Sequence, residues 1–182
     1  MTKVRHLVLL ALALSACSFP FNYTVDMLDY LEREGTFNVS QGGIDPNPKT
    51  LGPIRVTWEP DSRVTLTGAT LAFKVCFTSQ TPGATFSGTL NYAAYLGQGE
   101  MDLFSGANLV AQGSGDVAGL NGGGQVCVEG QASLSEAQLS AIQSGTFYVG
   151  ARISGDAQSN QEATIRYRLE AFRIGLSGTA RP

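Results

Sequence analysis

Strict two-residue alternation, repeated in short runs and broken by glycines, constrains this chain more than any other feature. Ile54, Val56 and Trp58 alternate with Arg55 and Thr57, and Pro60-Asp61 then turns the chain. Val64 and Leu66 open a second run, which continues past a kink at Gly68 into residues 71–78. Residues 85–96 follow, then the short runs 101–104 and 108–112. Phe147, Val149, Ala151 and Ile153 make a clean run, and Ile165, Tyr167, Leu169 and Ala171 alternate with Arg166, Arg168 and Glu170. Successive side chains of a strand point to opposite faces, so such runs read as half-buried strands. At Phe172 the phase flips, because Ile174 and Leu176 now follow it; a β-bulge near 171–172 is the simplest cause. About eight strands at short spacing predict an all-β, antiparallel β-sandwich.

Two short helices are expected to interrupt the strands. Thr24 can cap one over residues 25–34, with Met27, Leu28, Tyr30 and Leu31 apolar and Gly35 as its stop. The other begins at Ser133, with Glu136 three residues on as a capping box, and ends at Gly145. The step from that crossover helix into Gly145–Tyr148 resembles the E–F corner of immunoglobulin-like sandwiches, which implies an immunoglobulin-like arrangement. It departs from that pattern in one respect: Phe147, not Tyr148, shares the core phase.

Cys76 and Cys127 both sit in alternating runs, on the more polar face of each. Pairing the runs antiparallel with Cys76 opposite Cys127 sets Val75 against Val128, Phe77 against Val126 and Lys74 against Glu129. Apolar then meets apolar and the charged pair has opposite signs, the pattern that fixes register in sheets. The prediction is a solvent-side cross-strand disulfide.

Residues 1–16 carry the marks of an export signal. Lys3, Arg5 and His6 are basic, residues 7–14 are uncharged and apolar, and Leu14-Ser15-Ala16-Cys17 closes the segment. An apolar core of about eight residues is too short to span a bilayer, which takes roughly 20. The last four residues resemble the lipobox of bacterial lipoprotein precursors at all four positions. The resemblance implies cleavage before Cys17, a diacylglycerol thioether on its sulfur, and a third acyl chain such as palmitate on the new amino group. It also implies the cell envelope, with outer membrane favoured because Ser18, not Asp, follows the cysteine. The expected organisation is a signal peptide over 1–16, a lipidated tether with a short helix over 17–50, and the sandwich over 51–182.

Removing residues 1–16 takes away Lys3, Arg5 and His6, and leaves 10 Lys+Arg against 15 Asp+Glu, a formal charge of −5. An acidic surface argues against nucleic acid, which needs clustered cations. The only histidine is His6, so the mature chain has no imidazole for a Ser-His-Asp triad or for His-ligated metal. No cofactor or metal is expected.

The remaining candidates are few. Glu100 and Asp102 have the two-residue spacing of carboxylates on one strand face, suited to glycoside hydrolysis or calcium, although a solvated hairpin tip explains them as simply. Asp116 and Asp156 stand in Gly-Asp settings that read as turns. Tyr92 and Tyr95 are candidates for sugar stacking and lie on opposite faces of a regular strand; Trp58 shares the core phase. Arg152, Arg166 and Arg168 would line one basic face if the last two strands pair. The reading is a non-enzymatic envelope module, attached to the membrane through its lipid, that binds a protein partner or a polysaccharide. The alternatives are a carboxylate-dependent glycan hydrolase and a small-ligand carrier.

Overall fold

The computed structural model describes residues 18–181, so Cys17 and the signal segment lie outside the described residues. The strands are β1 (Phe19–Asp26), β2 (Glu34–Ser40), β3 (Gly43–Asp45), β4 (Lys49–Thr57), β5 (Val64–Ser79) and β6 (Phe86–Ser87). After them come β7 (Thr89–Gly97), β8 (Leu109–Asp116), β9 (Gln125–Ser133), helix α1 (Glu136–Gln143), β10 (Thr146–Gly155), β11 (Gln158–Ser159) and β12 (Ala163–Ala180). One sheet runs β3-β2-β12-β5-β9, with β1 also on β12; the other runs β4-β10-β7-β8, and β6 pairs with β11 in a small ribbon. Every pairing among the described residues is antiparallel.

The immunoglobulin-like expectation holds for the architecture, two antiparallel sheets face to face, while the connections follow another order. The long strands alternate between sheets as β2-β12-β5-β9 over β4-β10-β7-β8. That is the double Greek key of a jelly roll. The core between the sheets is filled from the inward-facing positions of both, among them Leu71, Val75 and Phe77 on one side and Leu90, Tyr92, Val149 and Ile153 on the other.

Several predicted details are present. Cys76 is bonded to Cys127, with Cα atoms 4.0 Å apart, and Val75↔Val128, Phe77↔Val126 and Lys74↔Glu129 are partners as the alternation required. Only Cys127 faces solvent; Cys76 is 2% exposed, because β5 is flanked by β12 and β9 on its two sides. The phase flip in β12 is a bulge between Leu169 and Ala171, and the Gly68 kink coincides with a second register shift, between Ser177 and Gly178.

Other details need correction. Residues 25–34 are not a helix. They comprise the end of β1, a turn, and the start of β2. β1 lies along the second half of β12 and β2 along the first, so the two act as one interrupted strand beside β12, with a short excursion between them. Met27 and Leu31, whose i, i+4 spacing mimics a helix, are tucked into the core by that excursion. The described N-terminal residues from Phe19 onward are therefore part of the sheet, and residue 50 lies within β4. Residues 101–104 are a turn, not a strand. Helix α1 starts two residues later than expected: Ser135 is the N-cap and Gln138 completes the capping box. Gly145 ends it with φ +84°, where a side chain would meet the Trp58 carbonyl.

Candidate functional site

The two long sides of the sandwich are unlike. On the β8–β9 side the sheets close tightly, because β8 is glycine-rich there. A Cβ at Gly113 would collide with the Glu129 carbonyl, and one at Gly115 would lie 2.7 Å from Val126. The opposite side, between β1 and β4, stays open. There β1 and β12 offer Tyr23, Val25, Ile174 and Leu176, while Val56, Trp58 and Phe147 face them from the other sheet and Ile142 of α1 closes one end. The resulting apolar cleft measures about 210 Å³. An engineered cavity of ~150 Å³ accepts benzene, whereas drug-sized ligands need roughly 300 Å³ or more. This cleft therefore suits one aromatic or aliphatic group, or the end of an alkyl chain.

Local structure fixes its walls. The Trp58 indole Nε1 donates to the Ile142 carbonyl (2.7 Å), and the Trp58 backbone N–H donates to Gly145 O (3.0 Å). With its polar atom engaged, the indole presents carbon to the cleft. Tyr23 (64% exposed) and Tyr30 (53%) stand at the mouth, Tyr30 being held by its backbone N–H donating to Met27 O (3.1 Å).

The sequence-derived candidates divide between faces. Tyr92 is fully buried, its ring 4.7 Å from that of Phe73, and offers no sugar platform. Tyr95 and Arg152 do meet, on the outer face of the four-stranded sheet. Phe104 from the 98–108 loop packs edge-on to Tyr95 (5.4 Å), and the Arg152 guanidinium stacks 4.6 Å from the Phe104 ring centroid and 6.0 Å from that of Tyr95. Arg152 Nη1 donates to the Phe104 carbonyl (3.3 Å), while its buried Nε has no hydrogen-bond partner among the described residues.

Arg166 and Arg168 lie on the other sheet, because β10 and β12 do not pair. The expected three-arginine face is thus corrected. Arg166 is ion-paired with Glu34, and Lys74 sits 3.4 Å from both Glu129 and Glu170, so this face is a mixed-charge lattice. Glu170 and then Glu129 raise the Lys74 pKa by hydrogen bonding to the ammonium.

Glu100 and Asp102 stand exposed on the 100–105 turn rather than on a strand face. Asp116 accepts the Ala118 N–H (2.8 Å) within its own turn, and Asp156 accepts the Thr89 N–H (2.7 Å), tying the end of β10 to the start of β7. Among the described residues no group of three or more His, Cys, Asp or Glu could hold a metal ion, and no helix is long and apolar enough to cross a membrane. The cleft itself was missed in the sequence. One signal was available: Phe19, Phe21, Tyr23 and Val25 alternate as a strand does.

Neither a protein-family model nor a curated protein matches the chain. Several solved structures are similar to it at low identity, three of which are the following. One is a bacterial lipoprotein from Bacteroides thetaiotaomicron, 11% identical, covering 91% of this chain and 85% of that one with a TM-score of 0.36. Another is the C-terminal CBM6 of LamC, a marine laminarinase from Zobellia galactanivorans, 14% identical over 81% of this chain and 99% of the other, with a TM-score of 0.30. The third is from infectious bursal disease virus, Gx strain, 14% identical over 90% of this chain with a TM-score of 0.34; this chain spans only 36% of the viral one.

Proposed function

We propose that the protein is a non-enzymatic binding module of the bacterial cell envelope. Lipid on Cys17 anchors it, in the outer membrane by the Ser18 reading, and the cleft between β1 and β4 takes an apolar group of its partner. The observation that carries this reading is the cleft: nearly all carbon and lined by Tyr23, Tyr30 and Trp58. Apolar pockets with a few polar groups at the mouth are the usual form of a binding site. Trp58 is the only tryptophan in the chain, so its emission reports on the cleft alone. Titration with an octyl glycoside below its micellar concentration should shift that emission saturably, and Val25→Phe, which fills the cleft, should abolish the shift. A response that is linear, or unchanged by Val25→Phe, would refute the reading.

A second reading rests on the Tyr95–Phe104–Arg152 cluster, whose stacked rings and guanidinium suit a polysaccharide. Retention on a glycan column that Tyr95→Ala abolishes, with the Trp58 response intact, would favour it.

A further inference from the structure

Four large hydrophobic side chains stand exposed among the described residues: Phe19 (61%), Tyr23 (64%), Tyr30 (53%) and Met101. Three of the four fall within a dozen residues. Phe19 and Tyr23 share one face of β1 by alternation, and Tyr30 lines the same cleft as Tyr23. Among the described residues β1 is hydrogen-bonded only to β12, and its other edge runs along the cleft. These rings also lie at the start of the described chain, and Phe19 is two residues from Cys17. Two residues of extended chain reach at most about 7 Å. The polar zone on each side of a bilayer is itself ~5–7 Å deep. An acylated Cys17 therefore keeps Phe19 at the membrane interface however the rest of the domain turns.

We propose that the β1 edge seats on the bilayer, with Phe19, Tyr23 and Tyr30 at headgroup level and the mouth of the cleft facing the lipid, so that the apolar group it admits is the end of a lipid acyl chain. This rests on the lipid-anchored reading above. Aromatic side chains with one apolar and one wet end favour that depth. Charge takes little part. Asp29 is paired with Arg33 and Asp61 with Arg63, leaving Asp26, Glu32 and Glu59 as exposed carboxylates nearby. The seat should therefore form on neutral lipid and resist added salt, unlike a basic surface patch. Tethering supplies the rest: a weak contact held at high local concentration is occupied without large intrinsic affinity.

The test uses the lipoprotein isolated from envelopes and reconstituted in phosphatidylcholine vesicles carrying a spin label at the headgroup. Trp58 emission should be strongly quenched, and quenching should fall at least threefold in the Phe19→Ser, Tyr23→Ser, Tyr30→Ser variant, whose melting temperature serves as the folding control. Intact mass reads the acyl chains independently. Acylated, vesicle-bound protein with unquenched Trp58 overturns the seat and leaves the anchor standing. Quenching of a protein whose mass shows no acyl chain keeps the seat and removes the anchor. Burial of the edge that follows protein density rather than lipid would put a second copy there and overturn the proposal.

Discussion

The Tyr92 hydroxyl is fully buried and has no hydrogen-bond partner among the described residues. An unsatisfied buried polar group costs about 1–3 kcal/mol. Tyr92→Phe keeps the ring against Phe73 and removes the hydroxyl, so it should stabilise the fold by about 1 kcal/mol in urea unfolding. Burial, and then the neighbouring Tyr167, pushes the Tyr92 pKa well above the usual tyrosine value; burial, and then the Glu32 carboxylate, does the same for Tyr167. Below pH ~10, the ordinary tyrosine value, both hydroxyls are neutral folded or unfolded and their contribution is fully present. Above it the unfolded chain releases protons that the folded chain keeps, so stability falls as pH rises. Tyr92→Phe should make that alkaline decline shallower. Parity along one strand separates Tyr92 from Tyr95, which was legible in the sequence; which of the two faces the core depends on the opposing sheet and was not.

At the scale of elements, local pattern succeeded where partners were symmetric and failed where two periods overlapped. The β5–β9 register could be read because only one alignment puts Cys on Cys, apolar on apolar and Lys74 on Glu129. Residues 25–34 satisfy a helical spacing at Met27 and Leu31, while residues 19–25 satisfy a strand. The free edge of β12 decides between them, and it lies some 150 residues away in sequence. Ser133/Glu136 and Ser135/Gln138 both fit a capping box, yet only Ser135 makes it. Ser135→Ala should therefore cost about 1 kcal/mol and Ser133→Ala much less, a contrast that thermal unfolding of the two variants can measure.

Across the whole molecule, one long side is sealed and the other open. The disulfide belongs to the sealed side, since β9 carries Cys127 and also packs against glycine-rich β8 of the other sheet. It closes a chain segment with a sequence separation of 51 that contains β6, β7 and β8. Loss of that constraint should lower stability by roughly 4 kcal/mol in the chain-entropy model. Comparing urea unfolding of the oxidised protein with a Cys76→Ala, Cys127→Ala double variant checks this. The two-sheet class was legible from alternation alone. The open side was not, because Tyr23, Trp58, Phe147 and Leu176 come from four distant segments that only the Greek-key connections bring together. The arginines failed for the same reason: Arg152 and Arg166 are close in sequence and belong to different sheets.

β12 has a consequence for the order in which the protein is made. It pairs with β1, β2 and β5, all synthesised well before it. Until residues 163–180 have emerged, the six-stranded sheet lacks its central member: β1 has no strand to pair with, while β2 can pair only with β3 and β5 only with β9. The larger sheet therefore stays in two parts, β2 with β3 and β5 with β9, until β12 enters between them and joins the halves.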